Sequence, residues 1–494
     1  MITKIDASYR LILILFITLS ISGCSKTTKK KVTLKNHAAF LPETAPVPKA
    51  DNLLLIVIDT LRADRLGCYG YKDQPTTPAL DAIAAQSIIF DRFYTASPWT
   101  APAFGTLLTG VSPLLHKTGW WLKDPEKGSV LIGNVNLYSL NSRLYTLAEL
   151  LNTRVSATFA SNPFLDPKLG FARGVDHYDQ TPEHRRADVV TSQALTWLKN
   201  NGDQKFFVML HYMDTHTPYD PLPEYKKQFT KNIDPGRIKA PFAPSQSEAL
   251  KLHPSKNELQ YIKSLYNAEL RFVDDEIKRL FETIDKQGLL DNTWIVITAD
   301  HGEEQWDHGD FNHGFQYENE VTRVPLIIRA PKGKWGAKKR VPYSVPMKDL
   351  LPTFLSWFNI APPKYIEGKN IMPVITGKEK NDRPCYMEFQ LYRKQKYAYF
   401  NGRYKIIKPE TGPGEYMYDL LKDPEEQHKI TKHTAEYKKI SKEIREYQRA
   451  RLTLMNKINN GLLEAKTELD SDEQNNDALS NETVKSLKAL GYIK

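Results

Sequence analysis

The sequence predicts an α/β fold with a doubly wound, mainly parallel sheet flanked by helices and a small C-terminal antiparallel-sheet subdomain. Short apolar runs alternate with helical stretches from about residue 51 to 375, the pattern of strand–helix repeats around a parallel sheet. Several runs are followed directly by residues that can bind metals or anions. From about residue 380 the pattern changes to aromatic alternation with turn signals at Asn401-Gly402 and at 412–414, which indicates antiparallel strands.

Apolar runs and helical periodicity predict the individual elements. The predicted strands are Leu53–Ile58, Val155–Ala160, Phe206–Leu210, Trp294–Thr298 and Pro325–Arg329. Residues 256–285 have apolar side chains at helical spacing and predict one long amphipathic helix, and residues 221–255 predict an excursion over the site. The charged stretch 422–460 predicts a helix, residues 464–482 a loose segment, and Leu487–Ile493 an apolar end that docks back.

The N-terminal segment has the pattern of an export signal. Lys4 and Arg10 precede the apolar run Leu11–Ile21, which is too short to span a bilayer but suits the core of a signal peptide. The run closes on small residues before Cys24 and resembles the lipobox of bacterial lipoproteins, in which the cysteine is acylated. An ordinary cleaved signal with a chance cysteine is the alternative. We therefore expect a membrane-anchored lipoprotein outside the cytoplasm, in the periplasm or at the cell surface.

These patterns divide the chain into four parts. Residues 1–23 form the signal peptide, 24–50 a lipidated tether, 51–378 the catalytic domain, and 379–494 the C-terminal subdomain and tail.

The charge and the cysteines narrow the functional classes. A net charge of +10 suits anionic substrates or surfaces. Nucleic acid is not a predicted partner, because the lysines are spread along the chain and interleaved with acidic residues. Besides Cys24 only Cys68 and Cys385 remain, so the chain is not a disulfide scaffold and has no CxxC metal motif. The sequence does not decide whether Cys68 and Cys385 form a disulfide.

Two predicted strand ends carry metal-ligand residues. In open α/β sheets ligands bind at the carboxyl ends of the strands. Asp59 follows the first run, and Asp300-His301 follows the fourth, so these side chains can converge on one or two divalent cations of the Zn, Mn or Ca class. A single Asp at a strand end is usually a cap or turn residue, but the occurrence of Asp59 and Asp300-His301 at two strand ends favours a metal site.

Thr100 is a candidate nucleophile. Pro102 suits the first turn of a helix, so the Thr100 hydroxyl should stand just before a helix N-terminus, where backbone amides attract anions. A metal ion there would lower the pKa of the hydroxyl and activate it. A threonine in this position is, taken alone, more often a helix cap.

Several segments together resemble the sulfatase branch of the alkaline-phosphatase superfamily, from about residue 51 to the end. They are LLLIVIDTLRADRLGCYGY, WTAPAFGTLLTGVSPLLH, HYMDTHTPY, TADHGEEQWDHGDFNHG, YENEVTRVPLIIRAP, VPMKDLLPTFL, GRYKIIK, EYMYDLLKDPEE and LKALGYI. The resemblance implies an alkaline-phosphatase-like fold and an enzyme that hydrolyses phosphoric or sulfuric esters.

The resemblance also assigns roles to individual residues. It makes Asp59, Asp300 and His301 metal ligands and puts Thr100 in the nucleophile position, next to the metal. It implies that His216 contacts the anionic oxygens or the leaving group of the substrate, and that His313 occupies a position that in related transferases helps to hold a second metal. Weaker candidates are His211, Asp214, His308 and Arg323.

The chain departs from the sulfatase pattern at the nucleophile. Sulfatases convert the Cys or Ser of a C/S-x-P-x-R pattern into formylglycine, whereas this chain has Thr100-Ala101-Pro102-Ala103-Phe104. Threonine cannot give that aldehyde, and Phe104 stands in place of the arginine. Other charged residues of the family pattern are also replaced, at Thr60, at Ser161-Asn162 and at Phe315-Gln316. The anion pocket is therefore expected to be less cationic than that of a sulfatase.

The threonine favours phosphorus over sulfur as the reacting centre. Within the superfamily, a threonine nucleophile is found in phosphodiesterases and phosphoethanolamine transferases, which form a phosphothreonine intermediate. We therefore predict a metal-dependent hydrolase of phosphate mono- or diesters, and glycans and lipid head groups are the candidate carriers of the ester. The alternatives are a sulfatase without formylglycine, a head-group transferase, and a non-catalytic surface protein that binds anions. Such transferases usually carry several membrane helices.

Overall fold

The protein's computed structural model has an eight-stranded sheet at its centre. The structure describes residues 47–119, 121, 122, 129–132, 135–181, 186–333, 335, 339–389, 391, 395–431, 434–463, 482, 483 and 485. The chain divides into two units, residues 1–37 and 38–494, and all described residues lie in the second. The predicted signal peptide, Cys24 and the tether up to residue 46 lie outside the described residues, as do residues 464–481 and Leu487–Ile493.

The described chain contains strands and helices in alternation. The strands are β1 Asn52–Ile58, β2 Ile88–Tyr94, β3 Trp121–Leu122, β4 Ser129–Ile132, β5 Val135–Tyr138, β6 Val155–Ala160, β7 His177–Gln180, β8 Phe206–Tyr212, β9 Thr293–Thr298, β10 Glu304–Gln305, β11 Phe311–Asn312, β12 Arg323–Arg329, β13 Lys339–Pro346, β14 Cys385–Met387, β15 Lys396–Phe400, β16 Tyr404–Pro409 and β17 Tyr416–Asp419. The helices are α1 Pro78–Ala84, α2 Thr100–Thr109, α3 Pro113–His116, α4 Leu147–Leu150, α5 Ala187–Asn201, α6 Pro223–Phe229, α7 Gln246–Leu252, α8 Lys256–Lys286, α9 Asn319–Thr322, α10 Leu350–Trp357, α11 Met372–Ile375 and α12 Ala435–Asn459.

The central sheet confirms the predicted α/β class. Its strand order is β13-β2-β12-β9-β1-β8-β6-β7. All neighbouring pairs run parallel except those of β12, which is antiparallel to β2 and to β9. All five predicted apolar runs lie in strands of this sheet. Every residue of β1 is buried, as expected for a central strand with both faces covered.

Strands β2, β7 and β13 of this sheet were not predicted. The sequence of β2 is IIFDRFY, in which Asp91 and Arg92 interrupt the apolar pattern. Both charged side chains have partners in the fold: Arg340 of β13 donates from Nε to Asp91 Oδ1 at 2.7 Å, and Arg92 pairs with Asp382. These partners come from distant parts of the sequence, so the local pattern could not indicate them.

The long helix α8 confirms the prediction for residues 256–285. It begins after Ser255, which forms a capping box with Glu258, and its apolar side is buried against the core. The preceding excursion, residues 221–255, contains the short helices α6 and α7. Its Phe242 packs on Phe311 with ring centroids 5.6 Å apart, and its backbone pairs with that of Tyr219.

Strands β14–β17 form the predicted small antiparallel sheet. Helix α12 packs on it, but the helix begins at Ala435 and not at residue 422, because Asp423 instead accepts hydrogen bonds from the backbone of Gln427 and His428 in a turn. Cys68 and Cys385 are buried, and the disulfide that the sequence left open is not formed between them. No helix within the described ranges is long and apolar enough to cross a membrane.

Candidate active site

Asp59 and Asp300 lie side by side because they follow the neighbouring parallel strands β1 and β9. Both side chains are buried, as is His301. Nε2 of His301 lies 3.6 Å from Asp59 Oδ1 and 3.4 Å from Asp300 Oδ2. The other ring nitrogen, Nδ1, faces the carbonyl oxygen of Gly302 at 3.0 Å and donates to it, so Nε2 presents its lone pair to the carboxylates.

His211, a weaker candidate from the sequence, joins this group from strand β8. Its Nε2 lies 3.3 Å from Asp59 Oδ2. One ligand atom from each of Asp59, His211 and Asp300 lies within 4.8 Å of the others. His211 is the last residue but one of β8, and its place beside Asp59 follows from the parallel pairing of β1 with β8.

The donor atoms of this group fit a divalent cation. Asp59 Oδ1, Asp300 Oδ2 and both ring nitrogens of His211 are buried, and they have no hydrogen-bond partner among the described residues. Burial and the nearby charge of Asp59 raise the pKa of Asp300 well above its usual range. Buried carboxylates without a counter-charge are costly, and carboxylate oxygens with imidazole nitrogens are ligands that Zn²⁺ and Mn²⁺ accept. Asp59, His211, Asp300 and His301 would hold the ion.

The Thr100 hydroxyl points into the same group. It lies 3.2 Å from Nε2 of His301 and accepts a hydrogen bond from Nδ2 of Asn162 at 3.2 Å. Helix α2 begins at Thr100 itself, one residue earlier than predicted, and its N-cap residue is Trp99, which makes no side-chain capping bond. Thr100 is therefore not a helix cap, the usual role of a threonine in this place.

Asn162 belongs to the site, although no catalytic or metal-binding role was predicted for it from the sequence. Its Nδ2 donates to Asp59 Oδ2 at 2.7 Å as well as to Thr100, and its Oδ1 accepts from the backbone of Phe164 at 2.8 Å. It follows strand β6, so its position at a strand end was the available signal.

His216 and His313 stand together beside His301. The ring centroids of His216 and His313 are 4.9 Å apart, and those of His301 and His313 are 4.3 Å apart. Burial lowers the pKa of His216 to about 4 and that of His313 well below its usual range, so both imidazoles are neutral near pH 7. Nδ1 of His313 lies 3.0 Å from Oε1 of Glu303, a site residue that the sequence did not indicate. Glu303 also accepts from Tyr219.

The structure does not bring the other weaker candidates into this group. Asp214 Oδ1 accepts from the backbone nitrogen of Ala187 at 3.1 Å and so serves the first turn of α5. Arg323 donates to the carbonyl oxygen of Asp91. His308 contacts Glu320 and belongs to a different cluster.

One wall of the site is aromatic. Phe104 is buried, and its ring meets that of His211 edge-on with centroids 5.3 Å apart. Thr60, the residue after Asp59, has a positive φ of 55° and donates from its hydroxyl to the carbonyl oxygen of Asp59. Neither residue brings a charge to the site.

The chain matches a family model that covers these residues. The model described as Sulfatase matches residues 51–360, which is more than half of the chain. The chain belongs to the sulfatase family. A second model, described as the C-terminal part of N-sulphoglucosamine sulphohydrolase, matches residues 306–453 of this sulfatase-family protein.

Known proteins resemble this sulfatase-family chain over most of its length. An uncharacterized sulfatase of Escherichia coli, YidJ, is 26% identical over 435 residues, which cover 77% of this chain and 83% of the relative. A solved protein in complex with its substrate D-glucosamine-2-N,6-O-disulfate has a TM-score of 0.66 at 21% identity and covers 83% of this chain and 98% of its own.

A phosphonate monoester hydrolase of Agrobacterium radiobacter has a TM-score of 0.65 at 20% identity and covers 82% of this chain and 96% of its own. These likenesses confirm the alkaline-phosphatase-like fold. Together with the family match they identify an ester hydrolase of the alkaline-phosphatase superfamily.

Proposed function

We propose that the protein is an extracytoplasmic, metal-dependent hydrolase that cleaves phosphate mono- or diesters with Thr100 as the nucleophile. The observation that carries the proposal is the placement of the Thr100 hydroxyl, 3.2 Å from His301 Nε2 and 3.2 Å from Asn162 Nδ2, at the start of helix α2. A hydroxyl at a helix N-terminus and beside a metal-ligand group is well placed to attack an anionic ester.

The side chains of the site divide the work of the reaction. A divalent ion held by Asp59, His211, Asp300 and His301 would lower the pKa of the hydroxyl and offset the negative charge of the substrate. Thr100 Oγ1 gives up its proton to solvent and forms a bond to phosphorus as the bond to the leaving alcohol breaks, and the departing alkoxide takes up a proton from solvent. Water then cleaves the phosphothreonine and releases phosphate or a phosphate monoester. His216 and His313 orient the transferred group, and Asn162 holds the hydroxyl in line.

Phosphorus is favoured because the residues needed for sulfatase chemistry are replaced. Thr100 cannot become a formylglycine, and the buried, uncharged Phe104 ring occupies the place of an arginine. The phosphonate monoester hydrolase with a similar fold supports phosphorus chemistry on this scaffold.

Sulfuric ester hydrolysis is the second candidate. The matched family model is that of sulfatases, and one similar structure holds a sulfated glucosamine. An anionic ester on a glycan would therefore suit either reaction. A non-catalytic anion-binding protein is a weaker alternative, because the potential metal ligands and the hydroxyl stand together in one buried group. A head-group transferase would use the same group and would differ in passing the phosphoryl group to an acceptor other than water.

The experiment is a paired hydrolysis assay of the soluble domain on nitrophenyl phosphate, bis-nitrophenyl phosphate and nitrophenyl sulfate, with Mn²⁺, Zn²⁺ or Ca²⁺ added. Thr100→Ala should abolish phosphoester cleavage and keep the bound metal. The matched control is Thr109→Ala in the same helix, whose hydroxyl donates to the carbonyl oxygen of Gly105 and has no other hydrogen-bond partner among the described residues. Sulfate release alone, or phosphoester cleavage that Thr100→Ala leaves unchanged, would contradict the proposal.

The cellular location needs a separate test, because Cys24 lies outside the described residues. We propose that Cys24 carries the lipid that anchors the protein to a membrane. Metabolic labelling with a fatty acid should mark the wild-type protein and not Cys24→Ala. Labelling of both, or of neither, would contradict the anchor.

A further inference from the structure

A second group of metal-ligating side chains lies just beyond the active-site loop. Ligand atoms of Glu304, His308 and Glu320 all lie within 4.8 Å of one another. Glu303 faces His313 of the active site, whereas the next residue, Glu304, faces His308. We propose that Glu304, His308 and Glu320 bind a second divalent transition-metal ion, such as Zn²⁺, that has a structural role.

Glu304 supplies one oriented oxygen without a partner. Its side chain is wholly buried, at 0% exposure. Oε1 accepts a hydrogen bond from the backbone nitrogen of His308 at 2.6 Å, which fixes the carboxylate, while Oε2 has no hydrogen-bond partner among the described residues. A buried carboxylate oxygen in this state is costly unless a cation or a donor satisfies it.

His308 has the orientation of a metal-binding histidine. Its Nε2 lies 3.0 Å from the carbonyl oxygen of Glu426, which can only accept, so Nε2 carries the proton. In the structure the opposite nitrogen, Nδ1, donates to Oε1 of Glu320 at 2.5 Å and lies 3.8 Å from Glu304 Oε2. A bound cation would take the place of this proton. Histidines that bind metals usually donate their other ring nitrogen to a carbonyl or carboxylate in this way.

Charge at this cluster also favours a cation. Glu318 and Glu426 stand near the three side chains, and the buried Lys405 pairs with Glu426 at 2.7 Å. Carboxylate oxygens and imidazole nitrogens are ligands that Zn²⁺ accepts, and a water molecule would complete its tetrahedral coordination, whereas Ca²⁺ prefers six to eight oxygens.

An ion at this site would join three segments of the protein. Glu304 and His308 follow Glu303 in the same segment of the chain, and Glu320 lies in α9. The backbone nitrogen of Glu303 donates to the backbone oxygen of Glu320 at 3.0 Å. The Glu426 carbonyl that holds His308 follows the C-terminal sheet. The ion would therefore stabilise the loop of the active site without touching the substrate.

The test counts metal ions and does not depend on activity. The soluble domain is stripped with a chelator, incubated with Zn²⁺, passed over a desalting column and analysed for metal per chain. We expect two ions in the wild type and in the control Glu318→Gln, and one ion in Glu304→Gln/Glu320→Gln. The variant Asp59→Asn/Asp300→Asn should also keep one ion, and all four substitutions together should leave none.

A second measurement covers the case in which Glu304→Gln/Glu320→Gln does not fold. In the Asp59→Asn/Asp300→Asn protein, Zn²⁺ should still bind and raise the melting temperature, because it binds only the folded state. The inference is overturned if this protein binds no ion, or if Glu304→Gln/Glu320→Gln binds as many ions as the wild type. The His308–Glu320 contact would then be an ion pair alone.

Discussion

Asn162 donates from Nδ2 to Asp59 Oδ2 at 2.7 Å, and thereby ties a potential metal ligand to the end of strand β6. The same nitrogen lies 3.2 Å from the Thr100 hydroxyl. One amide therefore sets the distance between the metal ligand and the candidate nucleophile.

Asn162→Ala is expected to lower kcat about 10- to 100-fold, because a hydrogen bond to a charged group is worth about 1.5–3 kcal/mol and about 1.4 kcal/mol corresponds to a factor of ten. Steady-state kinetics on the better phosphoester, with metal content measured in parallel, checks this. Asn201→Ala at the end of helix α5 is the control, because the side chain of Asn201 hydrogen-bonds to Trp197 and Gln204 and to no residue of the site. Unchanged kcat in Asn162→Ala would show that Thr100 is positioned without the amide.

Asp300→Asn should raise the melting temperature in the absence of metal and lower it in the presence of metal, each relative to the wild type. Without metal, the substitution removes a buried carboxyl group whose pKa is raised by burial and by Asp59, so the variant should unfold at a higher temperature than the wild type. With saturating metal the wild type gains binding free energy that the variant loses, so the order should reverse. Thermal unfolding with chelator and with Zn²⁺ or Mn²⁺ measures both. The same order in both conditions would argue against Asp300 as a ligand.

Glu269 should make the stability fall as the pH rises. Burial and the nearby Asp214 raise its pKa in the folded protein to about 8, from 4.5. The folded state then binds more protons than the unfolded state between these values, so the stabilisation is complete below about pH 4.5 and lost as the pH passes 8. In Glu269→Gln, the free energy of unfolding should no longer fall by on the order of a few kcal/mol across this pH range, and the variant should be more stable than the wild type above pH 8.

Denaturant unfolding of Glu269→Gln at several values between pH 5 and pH 9 measures this difference. Glu282→Gln is the control, because the Glu282 side chain is 56% exposed. Parallel profiles for the wild type and Glu269→Gln would contradict the assignment.

Arg451 should stabilise the attachment of helix α12. Its guanidinium is buried, pairs with Glu388 and donates from Nε to Ser112 Oγ at 3.0 Å. Arg451→Met should lower the free energy of unfolding by about 3–5 kcal/mol, because Glu388 would remain buried without its partner. Adding Glu388→Gln should restore part of the loss. Chemical denaturation measures the free energy of unfolding of both variants. Arg449→Met, on the exposed side of α12, is the control. Equal losses of stability in the single and the double variant would exclude the Arg451–Glu388 pair as the cause.

The sequence predicted the strands of the sheet in which no charged residue interrupts the apolar pattern. Strands β1, β6, β8 and β9 are such strands, and the residues after them meet because parallel strands end at one edge. Strand β2 was not predicted, because its charged residues Asp91 and Arg92 interrupt the apolar pattern. Their partners, Arg340 and Asp382, are far away in the sequence. The direction of β12 was also not predictable, because an apolar run does not indicate whether its neighbours run parallel.

Within the site, the sequence could not rank His211 against Asp214. The two residues are three positions apart, but His211 still lies within β8 and faces Asp59, whereas Asp214 lies beyond the strand and faces the first turn of α5. The roles of Asn162 and Glu303 depend on hydrogen bonds to residues distant in sequence, which a local pattern does not contain.

The pairing of β1 with β9 also has a consequence during synthesis of the chain. Asp59 leaves the ribosome about 240 residues before Asp300, a delay of roughly 12–48 s at about 5–20 residues per second. Until Asp300 is synthesised, the nascent chain has an incomplete set of the potential metal ligands. A cation would bind the complete set only in the compartment where the whole sheet forms, so the metal supply of that compartment would decide which ion the site takes.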